Sequence, residues 1–268
     1  MLPVPEIPRE INSENPITRS LLEAGYALGG SAAFSALRKA QPFVTGTGTS
    51  SASKFGRAIN VSGAGNYIDL GRNISAKTAV ASGFVMTRAN SLSARCNLLN
   101  SALQSGANYV GHWFFVETTG LLSANYGDDG IPATGNRRTA VSATGVVTAG
   151  ETFSAGFVCR GATDWSLYKN GLSLTPTYSG TGGAYVAGTA KGAVNFEAAN
   201  ALYGDQSASV WGFWDRALSD AEMQLLAYDP FCMFRYEYDQ FYYSAPVSGA
   251  FQAAWAAGRN ALIGAGVA

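Results

Sequence analysis

Ser209-Val210-Trp211-Gly212-Phe213-Trp214-Asp215-Arg216-Ala217-Leu218-Ser219-Asp220-Ala221-Glu222 is the stretch that decides the fold class. Its first six residues are small, β-branched or aromatic, the composition of a buried strand, and Asp215-Arg216 ends the run. Ser219 and Glu222 then form a capping box, in which each side chain satisfies the other's backbone donor, so a helix starts here. Met223, Leu225 and Leu226 supply its apolar face and Asp229-Pro230 stops it.

Outward from this strand and helix, the chain reads as short strands separated by glycine. Residues 58–61, 67–70, 79–86, 109–116, 141–147 and 153–159 are rich in β-branched and aromatic types. In Asp164-Trp165-Ser166-Leu167-Tyr168-Lys169 the alternation puts Trp165, Leu167 and Lys169 on one face. Asn170-Gly171 follows, before Leu172-Ser173-Leu174. That dipeptide suits a type I′ hairpin turn, whose two central residues both need positive φ. Near the amino end, Pro3, Pro5 and Pro8 predict an extended arm. Asn15-Pro16 predicts a helix start with Asn15 as its cap, limited to about two turns by Gly25. The Gly/Ser/Thr stretch 45–53 reads as a linker or exposed loop. Many short strands and one short helix predict an all-β, jelly-roll sandwich.

Composition narrows the function. The chain has 268 residues with 18 basic and 18 acidic side chains, zero formal charge, and only 13% charged residues. No overall field exists to wrap nucleic acid, and the Arg137-Arg138 pair reads as part of a loop. His112 is the single histidine, which excludes a His-rich metal centre within one chain, and its apolar neighbours mark a core or rim residue. Cys96, Cys159 and Cys232 lack CxxC spacing and read as small buried hydrophobes. No apolar run of about 18 residues predicts membrane insertion. The amino terminus shows no export signal.

Lys54-Phe55-Gly56-Arg57-Ala58-Ile59, Tyr67-Ile68-Asp69-Leu70, Leu167-Tyr168-Lys169-Asn170-Gly171 and the segment from Val210 to Glu222 together resemble the laminin G-like, concanavalin A-like lectin/glucanase superfamily. The resemblance runs over about residues 31–234, with 1–30 as an amino-terminal arm and short helix and 235–268 as a carboxyl-terminal assembly tail. The flanking pieces, Asn15-Pro16-Ile17-Thr18-Arg19 and Asp229-Pro230-Phe231-Cys232-Met233-Phe234, are similar to those that tailed-bacteriophage virion proteins carry around such a domain. The resemblance implies a concanavalin A-like sandwich displayed on a virion and made in the host bacterial cytoplasm. It would decorate the capsid, form a head fibre or sit on the tail, touching host surface glycans. A tail-fibre or baseplate receptor-binding protein is the alternative, and a glycan depolymerase the third reading.

Candidate site residues follow from these readings. Glucanases of the superfamily commonly carry Glu-x-Asp-x-x-Glu on one strand; here only Glu237-Tyr238-Asp239 matches in part, with Tyr242 at the third acid's place. No catalytic residue is assigned, and the protein is expected not to be an enzyme. Aromatic rings stack on sugars while amides and carboxylates read hydroxyls, so Trp214, Asn125, Asp128 and Asp129 are candidate glycan contacts, with Trp113, Trp165 and Trp211 expected in the core. Laminin G-like modules often hold calcium at the sandwich rim, which makes Asp128 and Asp129, in a Gly-rich turn, its candidate ligands; no other cofactor is expected. The Ala/Gly-rich tail carries Phe251, Trp255, Leu262 and Ile263. These side chains predict assembly with copies of the same chain, as a trimer or other homo-oligomer, and with other virion proteins.

Overall fold

The computed structural model describes residues 10–29, 32–35, 43–46, 48–53, 56–102, 108–197 and 202–235. The assembly residues Phe251, Trp255, Leu262 and Ile263, and the partial acidic motif at Glu237, lie outside them. In chain order the principal strands are β1 (Leu21–Gly29), β2 (Ala32–Ser35), β3 (Phe43–Thr45), β4 (Thr49–Ser53), β5 (Gly56–Ser62), β6 (Tyr67–Asp69), β7 (Ala81–Ala89) and β8 (Cys96–Asn100). They continue with β9 (His112–Val116), β10 (Leu122–Gly127), β11 (Arg137–Val141), β12 (Thr152–Gly161), β13 (Asp164–Lys169), β14 (Leu172–Leu174), β15 (Thr177–Ser179), β16 (Ala193–Val194) and β17 (Asp205–Trp214). The helix α1 spans Asp220–Tyr228.

All pairings are antiparallel, and they form a jelly-roll β-sandwich. In the first sheet β17 is central. It takes β7 along one edge, and β1 and β5 share the other. β12, β13 and β14 continue beyond β7, β2 beyond β1, and β4 beyond β5. The second sheet runs β3, β6, β16, β8, β9, β10, β11, β15. One residue pair, Ala32 with Phe43, joins β2 to β3, so a single ladder rolls over into both layers.

Between the layers lies the main core. Val85, Phe153, Phe157, Trp211 and Phe213 from the first sheet meet Leu98, Phe114, Val116, Leu122, Ala124 and Ala140 from the second. A second apolar layer covers the outer face of the first sheet. Phe84, Met86, Val158, Tyr168, Val210 and Trp214 pack beneath Ile17, Leu218, Met223, Leu226, Met233 and Phe234. The capping box forms as the sequence predicts: Ser219 Oγ accepts from Glu222 N at 3.3 Å, and Glu222 Oε2 accepts from Ser219 N at 2.8 Å. The hairpin turn also forms, with Asn170 at φ 51° and Gly171 at φ 77°.

The sheet overrides several local expectations. Asn15 does cap a turn through Ile17 N, but the helix is a single 3-10 turn, Pro16–Thr18. From Leu21 onward the chain is strand, because an edge of β17 is open to pair with it. The sandwich therefore starts before residue 31. Arg216 fixes this junction by donating to the carbonyls of Pro16, Ile17 and Arg19. The stretch 45–53 supplies β4 and the end of β3 rather than a linker, and residues 142–147 are turn, not strand. Cys96 and Cys159 are buried free thiols, as their spacing suggested, and Cys232 is a half-buried one.

Candidate functional site

Strand parity gives the second sheet two unlike faces. Phe114, Val116, Leu122, Ala124 and Ala140 point into the core. The alternate residues Trp113 and Phe115 on β9, Ser123 and Asn125 on β10 and Thr139 on β11 occupy the outer face, in register with one another and with Asn97 and Asn100 of β8. Trp113 and Phe115 join Tyr109 in an apolar cluster separate from both cores. The outer face is thus a strip of aromatic rings and amides, every one of these side chains itself buried.

Each end of the strip carries a guanidinium over a ring. Arg137 Cζ stands 5.5 Å from the Tyr109 ring centre, with its Nη1 donating to Tyr109 Oη at 3.3 Å. Arg95 Cζ lies 4.1 Å above Phe115. Two carboxylates hold Arg95 there: Glu117 at 2.9 Å and Glu197 at 3.1 Å. Next to β8, the rings of Tyr67, Phe196 and Tyr203 stack, Tyr67 on Phe196 at 4.9 Å and Phe196 on Tyr203 at 4.5 Å. Asn97 Nδ2 donates to the carbonyl of Leu202 at 2.8 Å, and Asn100 Nδ2 to that of Phe196. These bonds dock the paired segments Phe196–Glu197 and Leu202–Tyr203 against the sheet.

The amides of this face are only half used. Asn97 Oδ1, Asn100 Oδ1, Trp113 Nε1 and Arg137 Nε are buried without a hydrogen-bond partner. Trp165 Nε1, Trp211 Nε1 and His112 Nδ1 in the main core are unpaired in the same way, so unpaired atoms alone do not mark this face as a binding surface. The part-exposed guanidinium groups of Arg95 and Arg137, over the rings of Phe115 and Tyr109, are the groups of this face that a ligand could meet.

The residues singled out from sequence are dispersed. Trp214 is fully buried under α1, its Nε1 donating to Ile17 O at 2.7 Å, so it offers no platform. Gly212 makes room for it: a Cβ there would fall 2.5 Å from the Trp214 ring. Asn125 belongs to the strip, but as a strand residue with Oδ1 accepting from Thr139 Oγ1 at 2.6 Å, not as part of a turn. Arg137-Arg138 likewise begin a strand. Asp128 Oδ1 accepts from Gly130 N at 3.0 Å and Oδ2 from Gly183 N at 2.7 Å, which locks two loops together. Asp129, at φ 70°, accepts from Asn108 Nδ2 at 3.2 Å.

With both Asp128 oxygens committed to backbone and Asn125 held inside a ladder, this donor set does not fit a calcium site. Among the described residues no group of three or more His, Cys, Asp or Glu side chains is placed to hold a metal ion. Trp165 and Trp211 lie in the main core and Trp113 in a smaller buried cluster with Tyr109 and Phe115, so all three are buried as expected. His112 points into the core, ringed by Tyr126, Phe157, Trp165, Tyr185 and Phe213. Burial lowers its pKa to about 4, and the hydrogen bond between Nε2 and the Ala79 carbonyl, 3.0 Å, only partly opposes that.

Solved structures share this two-sheet arrangement. The likeness is one of fold. Trypanosoma rangeli sialidase superposes with a TM-score of 0.55 at 14% identity, over 81% of this chain and 34% of its own, so the chain spans about a third of that protein. Domain 4 of AbnA, a GH43 extracellular arabinanase from Geobacillus stearothermophilus solved with arabinotriose, gives 0.51 at 13%, covering 78% of this chain and 98% of the domain. The CBM40 domain of the Ruminococcus gnavus IT-sialidase gives 0.50 at 13%, covering 63% and 96%. No family model and no curated protein matches the sequence.

Proposed function

We propose that this chain is a non-catalytic glycan-binding module whose binding surface is the outer face of the second sheet. The observation that carries the reading is the row of Tyr109, Trp113 and Phe115 rings with the part-exposed Arg137 and Arg95 guanidinium groups at its two ends. Two structural neighbours give it support: one is a carbohydrate-binding module by name, and the other was solved holding arabinotriose. Glu117 and Glu197, at one end of the strip, are both paired to Arg95 rather than left to flank a glycosidic bond, which favours binding over hydrolysis.

A glycan array with the purified chain, followed by calorimetry, tests this reading. Arg137→Gln should weaken the best glycan at least tenfold while the chain stays folded, with only a small drop in melting temperature from the lost contact to Tyr109. An array with no hits, or an unchanged affinity in that variant, sinks it.

The wider setting we propose is display on a bacteriophage particle, with 235–268 as the anchoring segment. This rests on the resemblance of the flanking sequences. Mass spectrometry of purified particles tests it, and absence of the chain from them refutes it.

A further inference from the structure

We propose a second carbohydrate-contact site, for a neutral sugar, on the opposite side of the sandwich, where the β13–β14 hairpin meets the last turn of α1. A groove of about 360 Å³ runs there, lined by Thr152, Ser154, Asn170, Leu172, Gln224 and Tyr228 among others. This volume lies within the usual range for small-molecule sites.

Three observations define what it takes. First, Tyr228 is 81% exposed and Leu172 70%, the two most exposed of the large hydrophobic side chains described, and both border this groove. A tyrosine ring open to water at the edge of a concavity offers an apolar plate with a polar tip, suited to the alternately apolar and hydroxylated faces of a sugar ring. Second, no residue lining the groove is charged, while Thr152, Ser154, Asn170 and Gln224 contribute hydroxyl and amide groups. Those groups match hydroxyls and give no counter-charge to an acidic ligand. Third, the walls are fixed before any ligand arrives. Asn170 N donates to Ser154 O at 2.9 Å, and Asn170 Oδ1 accepts from Ser154 N at 3.0 Å, which pins the hairpin base. Its tip approaches the helix so closely that a Cβ on Gly171 would lie 3.1 Å from Ala227 Cβ and 3.2 Å from Gln224 Cα. Leu172 and Tyr228 therefore border the groove from two anchored elements. A protein partner is the weaker fit, because a stable interface needs on the order of 1,000 Å² with an apolar centre, whereas here two apolar side chains border a polar floor.

The test is titration calorimetry of the full chain with maltotriose, cellotriose and xylotriose. At least one should bind, with affinity falling tenfold or more in Tyr228→Ala and threefold or more in Leu172→Ser. Both side chains are exposed, so both variants should keep the wild-type melting temperature. Array binding that survives in Tyr228→Ala belongs to the second sheet, so the two sites fail separately. The proposal is overturned if none of the three trisaccharides binds, or if their binding survives loss of Tyr228. It is equally overturned if light scattering shows that Tyr228→Ala abolishes self-association of the chain, which would make the groove a protein contact.

Discussion

The phenol ring of Tyr109 lies on the indole of Trp113, their centres 4.7 Å apart and their planes 28° from parallel. This stack closes the outer face of the second sheet and leaves Trp113 only 4% exposed. Tyr109→Ala should therefore uncover one indole while Trp165, Trp211 and Trp214 stay buried. In a Trp255→Phe background, acrylamide should quench a new fraction of the tryptophan emission, and stability should drop by roughly 2–4 kcal/mol. Unchanged quenching would mean that Trp113 is shielded by something other than Tyr109.

Trp214 gives the opposite expectation. Its ring sits within the layer under α1 and bonds Ile17, so Trp214→Phe should cost about 1–2 kcal/mol through the lost hydrogen bond and a smaller ring. Glycan affinity should stay the same. A drop in affinity at wild-type melting temperature would return Trp214 to the binding surface.

His112 sets a pH dependence. The folded pKa of about 4 lies below the ordinary 6.5, so the unfolded chain takes up a proton that the native core refuses. The neutral-ring contribution is complete above pH 6.5 and is lost as pH falls from there towards 4, amounting to about 3 kcal/mol at most. Urea midpoints at pH 8 and pH 5 should differ accordingly, and His112→Phe should flatten the difference. Equal slopes in the two proteins would assign the acid sensitivity elsewhere.

Gly171 should resist substitution. Gly171→Ala meets both the left-handed conformation, φ 77°, and the approach to Ala227, so a loss of roughly 1–3 kcal/mol is expected in chemical denaturation. A neutral result would mean that the hairpin tip moves off the helix at little cost.

Features written in local chemistry were legible in the sequence. The Ser219/Glu222 box and the Asn170-Gly171 turn each depend on a few adjacent residues, and both form as read. The segment after Asn15 shows the limit of that reading: its cap is real, but the open edge of β17 pairs with Leu21 and its successors more favourably than a short helix could hold them. The side of the sheet that Trp113 takes was hidden for a different reason. In His112-Trp113-Phe114-Phe115-Val116 every residue is large and nearly every one apolar, so alternation cannot say which side is inside. Trp113 is buried as expected, but in a separate cluster rather than between the layers, and Trp214 is buried too. The remaining parts of the strip come from segments that are separate in sequence, such as Asn100 opposite Trp113 and the later Phe196 beside Asn100, which only pairing brings together.

The position of β17 in the chain also governs how the protein comes to exist. Leu21–Gly29 and Ala81–Ala89 flank a strand made more than a hundred residues after either of them, and Leu21 finally pairs with Trp214. During synthesis the two early strands must wait, edges unpaired, until residues 205–214 clear the ribosome. Closure of the first sheet is then a late, long-range event, which predicts slow folding on the scale of milliseconds to seconds and exposure to aggregation before it. Nascent chains cut short of residue 205 should be held by chaperones or degraded rather than accumulate as a partial sandwich.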